Sequence, residues 1–151
     1  MADIYTQEWY EEVKNAINNK VAGMKKLPEG TWQIAIEIVG DGVSPYVLQG
    51  QERHFLASID QGTCLWYKEI DDDTEEQDQK IKLDYRFRGN ASKFDEIAAG
   101  IMDPIDAALG GEIKVKGDMR FLLRQADQVQ ALLEAYSNDV STDWPKGKPP
   151  Y

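Results

Sequence analysis

The stretch from Arg88 to Arg124, RGNASKFDEIAAGIMDPIDAALGGEIKVKGDMRFLLR, decides the fold because it combines helix caps, a buried strand and glycine corners in one short run. The glycine pair at 110–111 allows a sharp turn before a short strand, on which Ile113 and Val115 point to the same side. The Gly117–Asp118 pair then ends this strand and supplies the N-cap of another helix. The stretch therefore predicts a helix–strand–helix unit with tight corners.

The order of residues G-x-I-K-V-x-G-D-M, which begins at Gly111, resembles the sterol carrier protein 2 (SCP2) family. Upstream, the helix-forming segment Asp95 to Leu109, with a break at Gly100, is similar to the segment that precedes the same strand in that family. The resemblance is closest over Phe94 to Arg124. It implies a mixed helix and sheet domain with an apolar tunnel that holds a lipid. Members bind or move sterols, fatty acyl chains or fatty acyl-CoA, and others are appendages on larger enzymes.

The composition is that of one compact globular domain over residues 1–151, with 42% hydrophobic and 29% charged residues. A chain of this length buries about 68 to 70% of its unfolded surface. It therefore needs no disulfide framework, and Cys64, the one cysteine, has no intramolecular partner.

The formal net charge is −10. Phosphate backbones and anionic lipid surfaces are repelled by such a charge, so nucleic acid is not expected as a partner and membrane contact is expected to be transient at most. Lys114, Lys116, Arg120 and Arg124 lie close together in sequence and form either a local basic patch or an ordinary solvated face.

The sequence also bears on location. No apolar run approaches the roughly 20 residues of a membrane-spanning helix, and the N-terminus is acidic from Asp3 onward, unlike an ordinary secretory signal. A cytoplasmic location is therefore expected.

Apolar residues at steps of three and four predict an amphipathic first helix within 3–26. The same periodicity predicts a second long helix that starts after Asp118 and continues to Tyr136. The tail 139–151 contains three prolines, which cannot continue a helix, so it is predicted to be flexible, extended or loosely packed.

Alternating apolar residues predict strands, and short loops between successive strands favour antiparallel pairing. An acidic run, Asp71 to Asp78, is predicted to be a solvated loop between the last two. The fold class that follows is α+β, with an antiparallel sheet of about five strands covered on one face by helices, as in the SCP2 family. The predicted strands outside the quoted stretch lie within 32–39, 53–60, 63–70 and 80–88.

Residues suited to catalysis are few. His54 is the only histidine and has no motif around it, so no catalytic residue is assigned. One cysteine and one histidine fall short of a structural zinc site, and the segment Gly40 to Gly42 lacks the third glycine of a dinucleotide fingerprint. No metal, cofactor or enzymatic activity is expected. A hydrolase or transferase would need an unexpected site around His54 or Cys64.

Apolar residues are the remaining candidates for function. Periodicity alone is equally compatible with a solid core and with a cavity, and the family resemblance favours the cavity. Flexible methionines suit a cavity that packs around an acyl chain. Arg120 and Arg124 are candidates for contacting the ligand's polar end. The candidate ligand-binding residues are Tyr85, Phe94, Ile97, Ile101, Met102, Ile105, Leu109, Met119, Leu122 and Leu123.

The leading hypothesis is non-enzymatic binding or transfer of a sterol, fatty acid or fatty acyl-CoA in this apolar tunnel. The alternative is a protein-interaction or accessory module with a filled core, which serves an enzyme or an oligomer through Trp9, Trp144 and the C-terminal tail. A homodimer or an enzyme partner is possible under either hypothesis.

Overall fold

The computed structural model describes residues 1–71 and 80–151. Within these ranges the chain forms two small pairing strands at its ends, a five-stranded sheet and five helices. In chain order the elements are β1 (Ala2–Asp3), α1 (Gln7–Ala22), β2 (Thr31–Val39), β3 (Glu52–Asp60), β4 (Thr63–Ile70), β5 (Tyr85–Asn90), α2 (Ala91–Ala98), α3 (Pro104–Leu109), β6 (Ile113–Lys116), α4 (Met119–Arg124), α5 (Ala126–Asn138) and β7 (Thr142–Asp143).

The main sheet has the strand order β4-β3-β2-β5-β6. Three of its four pairings are antiparallel, and the predicted α+β fold class is confirmed. The pairing of β2 with β5 is parallel, with Ile34 beside Tyr85 and Ile36 beside Phe87. Since β4 and β5 lie on opposite sides of the β3–β2 pair, their connection is not a hairpin. The alternation of residues within a strand does not show which other strand it will pair with.

The first helix, α1, is shorter than the predicted 3–26. Its N-cap is Thr6, whose hydroxyl accepts from the backbone N–H of Trp9 at 3.4 Å, and Gly23 follows its last turn. The residues before the cap pair with the end of the chain as β1, and Tyr5 has φ 62°, outside the helical region. The helix therefore occupies only Gln7–Ala22, and its buried face packs on β4 and α5.

The predicted strand 80–88 begins later than its sequence pattern indicates. Lys82 has φ 52°, and the chain joins the sheet only at Asp84, whose N–H donates to the Gln33 carbonyl at 2.8 Å. The strand β5 therefore spans Tyr85–Asn90. The acidic run Asp71 to Asp78 lies, apart from its first residue, outside the described residues.

The decisive stretch forms the expected helix–strand–helix unit. Asp103 caps α3 by accepting from the N–H groups of Ile105 and Asp106 at 2.9 and 3.0 Å. Asp118 caps α4 by accepting from the N–H of Phe121 at 3.1 Å. Both short helices begin where the sequence places their caps.

The predicted long C-terminal helix is divided into α4 and α5 at Gln125. This residue leaves the helical region, with φ −101° and ψ 18°, and its side-chain oxygen accepts from the N–H of Glu29 at 3.3 Å. The break separates two helices, and the apolar periodicity that they share does not reveal it.

The C-terminal tail is extended and makes specific contacts with the rest of the protein. The strand β7 pairs in parallel with β1, and the Trp9 indole donates to the Thr142 hydroxyl at 2.9 Å. Further along, the Tyr46 hydroxyl donates to the Gly147 carbonyl at 2.8 Å. The tail, which the sequence predicts to be loosely packed, is thus attached to the body along its length.

A buried carboxylate connects the tail to the helical layer. Asp95, fully buried on α2, accepts hydrogen bonds from the hydroxyls of Tyr5 and Ser44 at 2.6 Å and of Tyr151 at 2.7 Å. Burial raises the pKa of Asp95, while the three hydroxyls lower it in part. Segments from both ends of the chain therefore meet at one side chain.

Gly117 allows the closest backbone approach in the corner between β6 and α4. A Cβ atom at this position would lie 2.3 Å from the Tyr85 ring and 2.6 Å from the Asp84 carbonyl oxygen, and its φ of +140° is unfavourable for other residues. The same corner lets the Tyr85 hydroxyl donate to the Asp118 carbonyl at 3.0 Å.

We expect Gly117→Ala to lower the free energy of unfolding by about 3 kcal/mol, because backbone strain and overpacking add at this site. The matched control is Gly50→Ala, where φ is +85° but nothing lies within 4 Å of the added Cβ. Strain alone should cost about 1 kcal/mol there. Urea unfolding measures both, and equal losses would contradict the close approach at Gly117.

Candidate ligand-binding cavity

A cavity of about 250 Å³ lies between the main sheet and the helical layer. All five strands of the sheet and all five described helices contribute to its lining. The lining residues from the sheet are Trp32, Ile34, Ile36, Ala57, Ile59, Tyr67, Tyr85, Phe87, Ile113 and Val115. Those from the helices are Ile17, Phe94, Ile97, Pro104, Ile105, Ala108, Leu109, Met119, Leu122, Leu123, Ala126, Val129, Leu132, Leu133 and Tyr136.

Strand alternation produces the floor of the cavity. On β6, Ile113 and Val115 line the cavity, while the intervening Lys114 and the following Lys116 are exposed. The two lysines therefore lie on the sheet face that points away from the cavity. The four basic residues of this region are accordingly divided between that face and α4, and they do not form one patch around the cavity.

The lining is almost wholly apolar. Among the described residues it contains no Asp, Glu, Lys, Arg or His, and its side-chain polar atoms belong to Trp32, Tyr67, Tyr85 and Tyr136. Residues 1–71 and 80–151 also contain no group of three or more His, Cys, Asp or Glu that could hold a metal ion. Such a lining is suited to excluding water and holding hydrocarbon.

The cavity reaches solvent between α3 and α4. Three of its lining residues are apolar yet exposed: Leu109 by 70%, Leu123 by 64% and Met119 by 37%. Since α3 packs on the edge strand β6, this mouth lies near that edge of the sheet. Arg120 and Arg124 are exposed on the same helix as Leu123 and one helical turn apart.

The inner end of the cavity lies near the opposite edge strand, β4, where Tyr67 and Tyr136 line it. Tyr67 is only 6% exposed and stacks on Tyr10, with ring centroids 5.0 Å apart. Burial raises the pKa of both lining phenols, which lie close enough to affect each other's pKa.

Comparison with protein families matches residues 42–133 to the SCP-2 sterol transfer family. The chain belongs to this family. The match confirms the resemblance that the sequence indicates, and it includes the strands β3 to β6 together with the short helices around the mouth.

The fold of this SCP-2 family protein is also found in solved structures. A conserved hypothetical protein of Thermus thermophilus, described as possibly a sterol carrier protein, superimposes with a TM-score of 0.72 at 16% identity, over 96% of this chain and 94% of that one. A crystal structure of sterol carrier protein 2 superimposes with a TM-score of 0.65 at 14% identity, over 92% of this chain and all of the other. Comparison with curated proteins finds no match.

Eight of the ten candidate ligand-binding residues line the cavity of this SCP-2 family protein. The other two, Ile101 and Met102, do not. They follow Gly100, whose positive φ of +75° ends the α2 region and turns the chain away, so Ile101 is exposed and Met102 packs elsewhere on the core. Contact of the eight with a ligand stays a prediction. They are Tyr85, Phe94, Ile97, Ile105, Leu109, Met119, Leu122 and Leu123.

Sequence reasoning missed most of the sheet residues that line the cavity. Alternation on β2 identifies Trp32, Ile34 and Ile36 as one face, but it does not show whether that face meets other side chains or a void. Tyr67 carried no sequence signal of its own, since its role depends on the register that places it across from Ala57.

The two residues that an enzyme would need are placed unfavourably. The His54 ring lies on β3, 3.2 Å from Glu52, and is not part of the cavity lining. Cys64 is buried, and burial raises the pKa of its thiol to about 11, so it is a poor nucleophile at neutral pH. Within the described parts of the chain, no helix is both long and apolar enough to cross a bilayer.

Two buried alanines of the sheet test whether the cavity is a real void. Ala57 lines the cavity, whereas Ala35, on the neighbouring strand, is buried outside it. We expect Ala57→Leu to leave the free energy of unfolding unchanged or to raise it by up to about 2 kcal/mol, because the added methyl and methylene groups fill space. Ala35→Leu should lower it by about 1 to 3 kcal/mol through overpacking. Chemical denaturation measures both, and a similar loss in the two variants would show that no void lies above Ala57.

Proposed function

We propose that this SCP-2 family protein binds one apolar lipid in the cavity and carries it between membranes without altering it chemically. The observation that carries the proposal is an uncharged, apolar cavity that extends from the β4 edge of the sheet to a solvent-exposed mouth between α3 and α4. Burial of hydrocarbon contributes about 25 cal/mol per Å², and this lining has no ionised group to desolvate among the described residues. Catalysis is not part of the proposal, because the lining residues within 1–71 and 80–151 include no acid, base or nucleophile other than phenols.

The dimensions of the cavity favour a slender ligand. Its volume of about 250 Å³ lies just below the roughly 300–1,000 Å³ of typical small-molecule sites. Its lining crosses five strands, and four strand spacings of about 4.8 Å give a width of about 19 Å. One leaflet of a bilayer's hydrocarbon core is about 15 Å thick, so a single acyl chain fits lengthwise. Within the predicted classes, we therefore favour a single-chain lipid over a sterol.

The mouth provides for a charged head group. A carboxylate is costly to bury, and the lining residues that the structure describes supply no cation for it, so it is best left at the surface. Arg120 and Arg124 are exposed beside the mouth and can pair with it there. A fatty acid would accordingly enter with its methyl end first.

One proposed contact residue of the accessory-module alternative is inaccessible. Trp9 is fully buried in the core, whereas Trp144 is half-buried and packs edge-to-face on Tyr46, with centroids 5.9 Å apart. Trp9 is therefore not available as an anchor for a partner in this conformation. A homodimer or an enzyme partner stays a prediction.

Native mass spectrometry after gentle purification tests the proposal. We expect a population carrying one lipid mass, and the delipidated protein should take up one hexadecanoic acid per chain. Ala57→Leu should weaken this uptake at least tenfold, because the added side chain occupies the ligand's space, and Ala35→Leu that remains folded should retain it. A protein that stays free of lipid in the presence of fatty acids, alcohols and sterols would contradict the proposal.

The head-group placement gives a separate prediction. We expect the double variant Arg120→Gln, Arg124→Gln to weaken hexadecanoate binding about two- to fivefold at low salt, because exposed ion pairs contribute free energies of that order. The effect should be smaller at high salt, which screens the charges. The control is Lys114→Gln with Lys116→Gln, which removes the same charge from the opposite face of the sheet. Titration calorimetry measures both. Equal weakening in the two double variants would mean that net charge, and not the mouth, attracts the carboxylate.

A further inference from the structure

The polar atoms at the inner end of the cavity are not explained by storage of hydrocarbon. Tyr67 and Tyr136 bring two phenol hydroxyls to a lining that is otherwise apolar there. Replacing them by phenylalanine would leave the aromatic packing on Tyr10 and Trp9 in place. The hydroxyls therefore add polarity where packing does not require it.

The hydrogen-bonding capacity of this pair is at most partly used. Both phenols line the cavity, and among residues 1–71 and 80–151 no hydrogen bond involves either hydroxyl apart from their contact with each other. At least one O–H donor and the lone pairs of both oxygens therefore remain beside the cavity. By contrast, the Tyr85 hydroxyl, nearer the mouth, is already engaged with the Asp118 carbonyl. Buried polar groups normally have partners, so the unused capacity indicates a ligand atom.

The electrostatic surroundings select the kind of ligand atom. The cavity lining has no cation among the described residues, and the carboxylate of Asp95 lies close enough to raise the pKa of Tyr136. An anionic head group at this end would be desolvated without compensation and would be repelled by Asp95. A neutral hydroxyl, in contrast, both donates and accepts, as the phenol pair requires.

We propose that Tyr67 and Tyr136 form a hydroxyl-recognition site, which receives the alcohol end of a neutral lipid inserted head first into the cavity. This inference rests on the proposed function and specifies its ligand class. A neutral alcohol and a fatty acid then bind in opposite directions: the alcohol reaches the phenol pair, while the carboxylate stays at Arg120 and Arg124. The dimensions of the cavity favour a long-chain alcohol, and a sterol hydroxyl has the same chemistry.

The test compares four lipids in the wild-type protein and in the Tyr67→Phe, Tyr136→Phe double variant: 1-hexadecanol, its methyl ether, hexadecanoic acid and cholesterol. In the wild type we expect 1-hexadecanol to bind about three- to tenfold more tightly than its methyl ether, which cannot donate a hydrogen bond. The double variant should lose this preference while binding hexadecanoic acid as the wild type does. Cholesterol affinity should fall in the double variant if a sterol uses the same site, and should be too weak to measure in both proteins if only single-chain alcohols fit.

The control is Tyr46→Phe, which removes a phenol hydroxyl outside the cavity lining and should leave the preference for the alcohol intact. Equal binding of 1-hexadecanol and its methyl ether by the wild-type protein would overturn the hydroxyl site, whether or not the double variant folds. So would a preference that persists in a folded double variant. Failure of all four lipids to bind the wild type would instead refute the proposed function itself.

Discussion

The site depends on one packing constraint: a helical layer must cover an apolar sheet face that is wider than the helices can fill. The sheet presents apolar side chains from five strands on one face, and the segments over its β6 half are the two short helices α3 and α4. Short helices with capped ends cannot supply the side-chain volume of a continuous long one. Because water is excluded by the apolar lining and protein does not fill the space, a cavity with an apolar mouth remains.

Aromatic packing and a buried hydrogen-bonded carboxylate lie on the side of the cavity opposite the mouth. Aromatic rings of α1, β3 and β4 pack against one another, as in the stack of Tyr10 on Tyr67 and the contact of Tyr10 with Phe55. The buried carboxylate of Asp95 joins both ends of the chain to α2. The inner end of the cavity is therefore well supported, while the mouth is formed by exposed leucines and a methionine that have room to move. This arrangement suits ligand entry at one end and recognition at the other.

Much of the fold follows from local sequence signals. The caps at Asp103 and Asp118 and the alternation on β2 and β6 reflect interactions within a few residues, and the structure has them where the sequence indicates. The parallel pairing of β2 with β5 and the break at Gln125 depend on contacts between distant segments, such as that of Gln125 with Glu29. No local pattern encodes those contacts.

The candidate site was predictable to a similar degree. Leu122 and Ile105 were identified because apolar helix faces must be buried somewhere, whereas Ile101 and Met102 lie outside the cavity lining because the turn at Gly100 removes them from the helix. A void and a filled core produce the same periodicity, so only the family resemblance and the structure distinguish them.

The most direct measurement is methyl NMR of the protein with stearic acid that carries a spin label near its methyl end. The account predicts strong broadening of the Ile34, Ile36 and Leu132 methyl signals inside the cavity, with Leu48 and Leu65 on the outer surface unaffected. Broadening confined to outer-surface methyls, with the interior signals unchanged, would contradict it.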